Sequence, residues 1–293
     1  MARGQIAAKI DDNQQGRLRM LKSRSRRARK GRAEDQARAR AAGVGLAAFG
    51  LLALLLLGGD AWATDDLATA QALYDRGDMR VAARLARQAG GPDGLTLAAR
   101  ATLVDVLYLA TEEDGSKLLE GAAGDARKAI DLAPEYEPAY LQLAIALGQM
   151  AERADPIVAH INGYATEGRA LLKRARELAP GDPWPDGLLG IWHLQLVRRG
   201  SAVLAAEFYG ASEAEGVALC RRAAVRGPKA IALRYGCAVS MLDLDPEHLG
   251  REALRELVAI TRLPPANAAE RLVQQAALGR IDAFRRSGSG STK

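Results

Sequence analysis

Three histidines and two cysteines are the side chains of this sequence best suited to proton transfer, nucleophilic attack or metal binding, and their spacing favours none of these. His160, His193 and His248 fall in different predicted helices, with no Cys or acid at metal-ligand spacing beside them. Cys220 and Cys237 stand too far apart for a CxxC knuckle. Nucleophile-elbow, phosphate-loop and dinucleotide glycine patterns are missing, so "AGGPDG" and "GSGSG" read as linkers. The acidic pairs Asp65-Asp66 and Glu112-Glu113 stand at predicted helix starts, where the backbone dipole favours negative charge. These residues lead to the expectation of no enzyme activity, no metal and no cofactor. An enzyme whose site is assembled from scattered residues, for instance around His193, is the alternative.

Aromatic side chains offer recognition in place of reaction. Aromatics make up only 4 % of the chain. Trp184, Trp192, Phe208 and Tyr209 nevertheless gather in or beside residues 184–211, with Tyr136 and Tyr140 a little earlier. Large rings dominate binding hot spots, so these six with His193 form the candidate binding surface. The competing role is structural: large side chains plugging a seam between helices.

What must position them is a repeated helix-Pro-helix joint. Aligned on Pro134, Pro180 and Pro228, the chain has Ala129, Ala175 and Ala223 five residues before the proline. Twelve before stand Ala122, Gly168 and Gly216; ten after stand Ala144, Gly190 and Ala238. Small residues at fixed turns let helices approach closely, and the proline stops one helix and sets the start of the next. In this register His193 takes the place of Leu147 and Met241, the position of a packing residue. The patterns predict helices over 64–76, 78–90, 95–111, 114–132, 137–153, 156–178, 184–199, 202–209, 212–226, 229–242, 246–261 and 266–285. Ser212 with Glu215 matches a capping box, and Thr111 with Asp114 is a weaker match. No alternating strand pattern is visible.

"ARKAIDLAPEYEPAYLQLAIALG" and "LYDRGDMRVAARLARQA" resemble tetratricopeptide (TPR) repeats. The spacing departs from that pattern: successive prolines lie 46 and 48 residues apart, against a usual period of 34. Long-helix units of this kind resemble the regulator-of-microtubule-dynamics family and its exported bacterial relatives, most of all through "LLGIWHLQLVRRGSAVLAAEFYGASEAEG". The resemblance covers roughly residues 65–265. It implies an all-α, right-handed superhelix of antiparallel helix hairpins with extended repeats. It also implies binding of a protein partner or extended ligand on a superhelical groove, without a reaction. An accessory role in a solute transport system or an envelope assembly machine is a second implication.

The formal charge of +6 divides unevenly along the chain. Residues 1–42 carry 13 Lys+Arg against 4 Asp+Glu, and the remainder carries 28 against 31. The excess basicity therefore belongs to a leader, expected to be disordered, and nucleic acid is not the expected partner. From Ala41 to Gly59 no residue is charged, and Ala61-Trp62-Ala63 then supplies a small-x-small pattern. Residues 43–63 are thus the core of a signal peptide cleaved after Ala63, or a single-pass anchor through 43–59. Both place the helical domain, 64–286, on the periplasmic side of a cell envelope. Residues 287–293 are a flexible tail.

The cysteines lie almost equally far from the turn Arg226-Gly227-Pro228 on successive helices. They are expected to face each other, either as a disulfide in an oxidising compartment or as two buried thiols.

Overall fold

The computed structural model describes residues 65–110 and 112–289. The leader, the apolar segment 43–63, the Thr111 cap and the end of the tail fall outside those residues. Each regular element among them is a helix: α1 (65–76), α2 (Met79–Ala89), α3 (Gly91–Tyr108), α4 (Glu112–Leu132), α5 (Glu137–Arg153), α6 (Pro156–Ile161), α7 (Tyr164–Leu178), α8 (Pro183–Tyr209), α9 (Glu213–Arg226), α10 (Ile231–Leu244), α11 (Gly250–Thr261) and α12 (Ala268–Ser289). None of them is long and apolar enough to cross a membrane.

Local chemistry explains where the helices start. The Asp182 carboxylate accepts from the Trp184 amide at 2.7 Å, and the Asp155 carboxylate from the Ile157 amide at 2.8 Å. Ser212 accepts from the Glu215 amide at 3.3 Å, as its position in the sequence predicts. Pro156 and Pro183 follow their caps at the first helical position, where a missing N–H costs nothing.

The helices stack as antiparallel pairs in two layers. Inner helices α3, α5, α8, α10 and α12 touch in succession, and each except α12 is backed by the outer helix that follows it: α4, α7, α9 and α11. The first pair, α1 and α2, packs through Ala70, Tyr74, Met79, Ala82 and Ala86. This is a TPR-like superhelix of helical hairpins.

The proline register marks the seams. Each of its small residues is buried: Ala129, Ala175 and Ala223, then Ala122, Gly168 and Gly216, then Ala144, Gly190 and Ala238. The tightest joint is α8 on α9. A Cβ at Gly190 would lie 2.8 Å from Cys220 Sγ and 2.9 Å from the Gly216 carbonyl oxygen. One at Gly216 would meet Leu194 at 2.8 Å. Side chains are excluded there because the backbones are already in contact.

Two elements depart from the sequence expectation. The helix expected over 156–178 is two helices, because Gly163 adopts φ 68° and ends α6 after two turns. Conversely, 184–199 and 202–209 form one continuous element, α8, broken only at Ser201, where φ is 72° and ψ 159°. At the far end α12 continues to Ser289, three residues into the expected tail.

The array also returns on itself. Ala268 and Ala269 of α12 join the buried cluster of the first hairpin, and the Arg271 guanidinium lies 3.5 Å from the Asp75 carbonyl oxygen. Gly77, in the α1–α2 turn at φ 110°, could not carry a Cβ without crowding that of Ala268 at 3.2 Å. Inside, Tyr108 and Tyr235 pack on the α10–α12 core, close to Tyr74. Burial first, and then these neighbouring phenols, pushes Tyr108 well above the usual tyrosine range.

Candidate functional site

The seven candidate surface residues do not form one surface. Tyr140 is buried, donates its hydroxyl to the Pro134 carbonyl at 2.7 Å, and packs with Trp184 in the core between α5, α7 and α8. Tyr136 donates to Asp93 at 2.5 Å across the α3–α5 joint. Burial and that carboxylate push its phenol up to about 12. These three aromatics therefore serve as seam residues, the competing role that their positions allowed.

The other four come together where α6 meets the end of α8. Trp192 stands edge-on to His193 at 4.9 Å and to Tyr209 at 6.5 Å, and donates its indole N–H to the Ala165 carbonyl at 2.8 Å. Arg169 lies over the Trp192 ring at 5.2 Å and donates to the Tyr209 carbonyl. The Tyr209 hydroxyl is 2.6 Å from His160 Nδ1, and the His160 ring contacts those of Phe208 and Tyr209 edge-on. His160 stands in no motif of the sequence, yet its ring links α6 to the end of α8.

His193 is a structural residue. It is 7 % exposed, and its Nδ1 accepts from the Ser212 amide at 3.1 Å, completing the start of α9. Burial lowers its pKa from the ordinary value, against a smaller opposing pull from Glu215. The ring is neutral at pH 7 and already committed as an acceptor.

Beyond these rings α6 and the end of α8 expose aliphatic side chains. Ile161 is 75 % exposed, Val203 73 %, Ile157 70 % and Phe208 62 %, and Val158 and Leu204 are exposed with them. No residue of α6 is buried. In the last turns of α8 only Ala205 is buried, with Tyr209 half-buried. Apart from His160 and Glu207 the side chains of these two segments are apolar, a composition that belongs in an interior, yet both segments lie on the outside. Their sequences, "PIVAHI" and "AVLAAEFY", read as ordinary core segments. The one available signal was Asn162-Gly163, which closes the first of them after six residues.

Ser201 makes this arrangement possible at some cost. Its backbone angles lie in a region that is essentially reserved for glycine. The break tips 202–209 off the line of α8, and Arg199 braces the bend through the Glu152 and Ala154 carbonyls at 2.9 and 3.1 Å.

The cysteines are neighbours with free, buried thiols. The Cys220 thiol and burial together push Cys237 well above the usual thiol range, and Cys237 donates to the Gly187 carbonyl. Among the described residues no group of three or more His, Cys, Asp or Glu could hold a metal ion.

Comparison with known proteins adds the fold class. No family model matches the sequence, and no curated protein matches it. Among solved structures, the chain is similar to a thermophilic TPR protein of Thermus thermophilus. The TM-score is 0.53 at 19 % identity, over 74 % of this chain and 98 % of the other. The likeness is one of fold, and it agrees with the layered hairpins described above.

Proposed function

We propose that this chain is a non-enzymatic binding scaffold of the cell envelope that holds a protein partner on the surface formed by α6 and the end of α8. The observation that carries the reading is that exposed apolar surface. TPR-like arrays commonly act through binding, and apolar side chains gathered on an exposed face mark an interaction site. The proposed site is thus on α6 and the end of α8, where the exposed apolar side chains are, and not in the superhelical groove that the resemblance implies. Export or tethering is supported by the basic leader followed by an uncharged stretch.

Photo-crosslinking in the cell of origin tests the reading. A benzoylphenylalanine at position 208 should give a light-dependent protein adduct, and one at Arg251, on the exposed face of α11, should not. Equal labelling from both positions, or none from 208, would overturn it. Fractionation with N-terminal sequencing of the same material tests export.

A further inference from the structure

We infer that the partner segment docking on α6 and the end of α8 is an amphipathic helix whose apolar stripe is flanked by Lys or Arg. The inference rests on the scaffold reading and narrows it. Its first support is shape. Ile157 with Ile161, and Leu204 with Phe208, are pairs four residues apart on two short helices, so each pair forms a ridge. The His160–Phe208 ring contact at 6.1 Å and the bond from His160 to the Tyr209 hydroxyl tie the two short helices together. Two adjacent ridges receive a third helix through its i, i+3, i+4 and i+7 side chains.

The second support is charge. The cations at this end of the molecule are engaged within it. Arg198 pairs with Glu152 at 2.6 Å, and Arg199 pairs with the same carboxylate at 3.3 Å while bracing the bend. Arg153 folds back onto Gln149, and Arg169 lies over Trp192. Among the exposed charges that remain around the ridges acids predominate: Asp155 at the start of α6, Glu207 beside Phe208, and Glu213 and Glu215 in the next turn of chain, against Arg153, whose partner Gln149 is neutral. An acidic rim around an apolar centre selects a partner with the opposite pattern.

The same charges disfavour the other occupants. An anionic lipid surface needs exposed Lys or Arg beside the apolar residues. A second copy would set acid against acid. The patch is also small: about 12 Å long and about 20 Å across two helices, far short of the ~800 Å² per partner of a standard interface. The third support is the backbone of Ser201, since strain of that kind persists where structure and function hold a segment in place.

The test uses the purified full chain and two labelled 14-residue helical probes of the same pattern, one of Leu and Lys, the other of Leu and Glu. The Leu/Lys peptide should bind at least tenfold more tightly by fluorescence anisotropy. The double variant Ile161→Ser with Phe208→Ser should lose that binding by tenfold or more without a change in thermal melting, because both side chains are exposed. Glu207→Lys with Glu213→Lys should reverse the preference. Equal binding of the two peptides, weak binding of both, or binding that survives the Ser variant overturns the inference. So does phosphatidylcholine-vesicle binding, or a dimer in sedimentation, that the Ser variant abolishes. If position 208 still crosslinks to a protein in cells, the scaffold reading outlives such a result. If it does not, both fall.

Discussion

At the scale of single residues, the unusual features are a strained serine and two titrating groups of opposite sense. Ser201→Gly should stabilise the protein by about 1 kcal/mol, since glycine adopts this conformation without a clash at Cβ. A melting temperature that stays level or falls would show that the bend is not strained. His193 binds its proton less readily in the folded state than in the unfolded chain, because burial lowers its pKa. Its contribution to stability is therefore complete above about pH 6.5 and is lost as pH falls through the depressed folded value. His193→Asn offers Oδ1 where Nδ1 stood and does not titrate, so it should flatten that acid limb. Glu137 works the other way. Burial, then the nearby Asp182, raises its pKa to about 7, and its Oε1 is buried without a hydrogen-bond partner. The folded state keeps that proton more tightly, so its contribution is full in acid and lost as pH rises through about 7. Glu137→Gln should stabilise by about 1 kcal/mol at pH 8, a figure reduced for the solvent that reaches this side chain. The two limbs overlap, so the His193 effect is best measured in the Glu137→Gln background by melting from pH 5 to 8.

At the scale of the elements, glycines in the same repeat pattern carry different loads. Gly168 and Gly190 occupy small-residue positions of the same proline-centred register. The structure leaves nothing within 4 Å of a Cβ at Gly168, whereas one at Gly190 would collide with the backbone and sulfur of α9. Gly168→Ala should thus raise stability by up to about 1 kcal/mol through helix propensity. Gly190→Ala should lower it by roughly 1–3 kcal/mol through overpacking. Chemical denaturation of both variants checks the pair, and equal effects would mean that α8 and α9 do not meet at the glycines. The proline register could be found in the sequence because it repeats and because burial there requires small side chains. The site could not be found in the same way. Ile157, Ile161, Leu204 and Phe208 have the composition and spacing of core residues, and periodicity tells an inward face from an outward one only when the opposite face is polar. Of the expected aromatic surface, Tyr136, Tyr140 and Trp184 belong to seams, and only the Trp192–Tyr209 end reaches the patch.

At the scale of the whole molecule, the contact between α12 and the first hairpin was not legible either. It is made by Ala268, Ala269 and Gly77. These residues look like any others in an alanine-rich chain, and no local pattern ties them together over nearly 200 residues. The contact predicts cooperativity between the chain ends. In native-state hydrogen exchange, Ala269→Asp should speed exchange in α1 and α2 together with α12, because it puts a charge into their shared buried cluster. Faster exchange confined to α12 would show that the ends touch without supporting each other.

An open solenoid can gain or lose a hairpin at modest cost, since each unit rests only on its neighbours, and such proteins vary readily in length by duplication. Here one more hairpin in the middle would carry Ala268 and Ala269 away from Tyr74 and Met79, and leave two apolar ends uncovered where there had been none. The number of units in this chain is therefore fixed by geometry. Its surface can diversify through inserts such as α6 and the end of α8, which lie outside that closure and can change without reopening it.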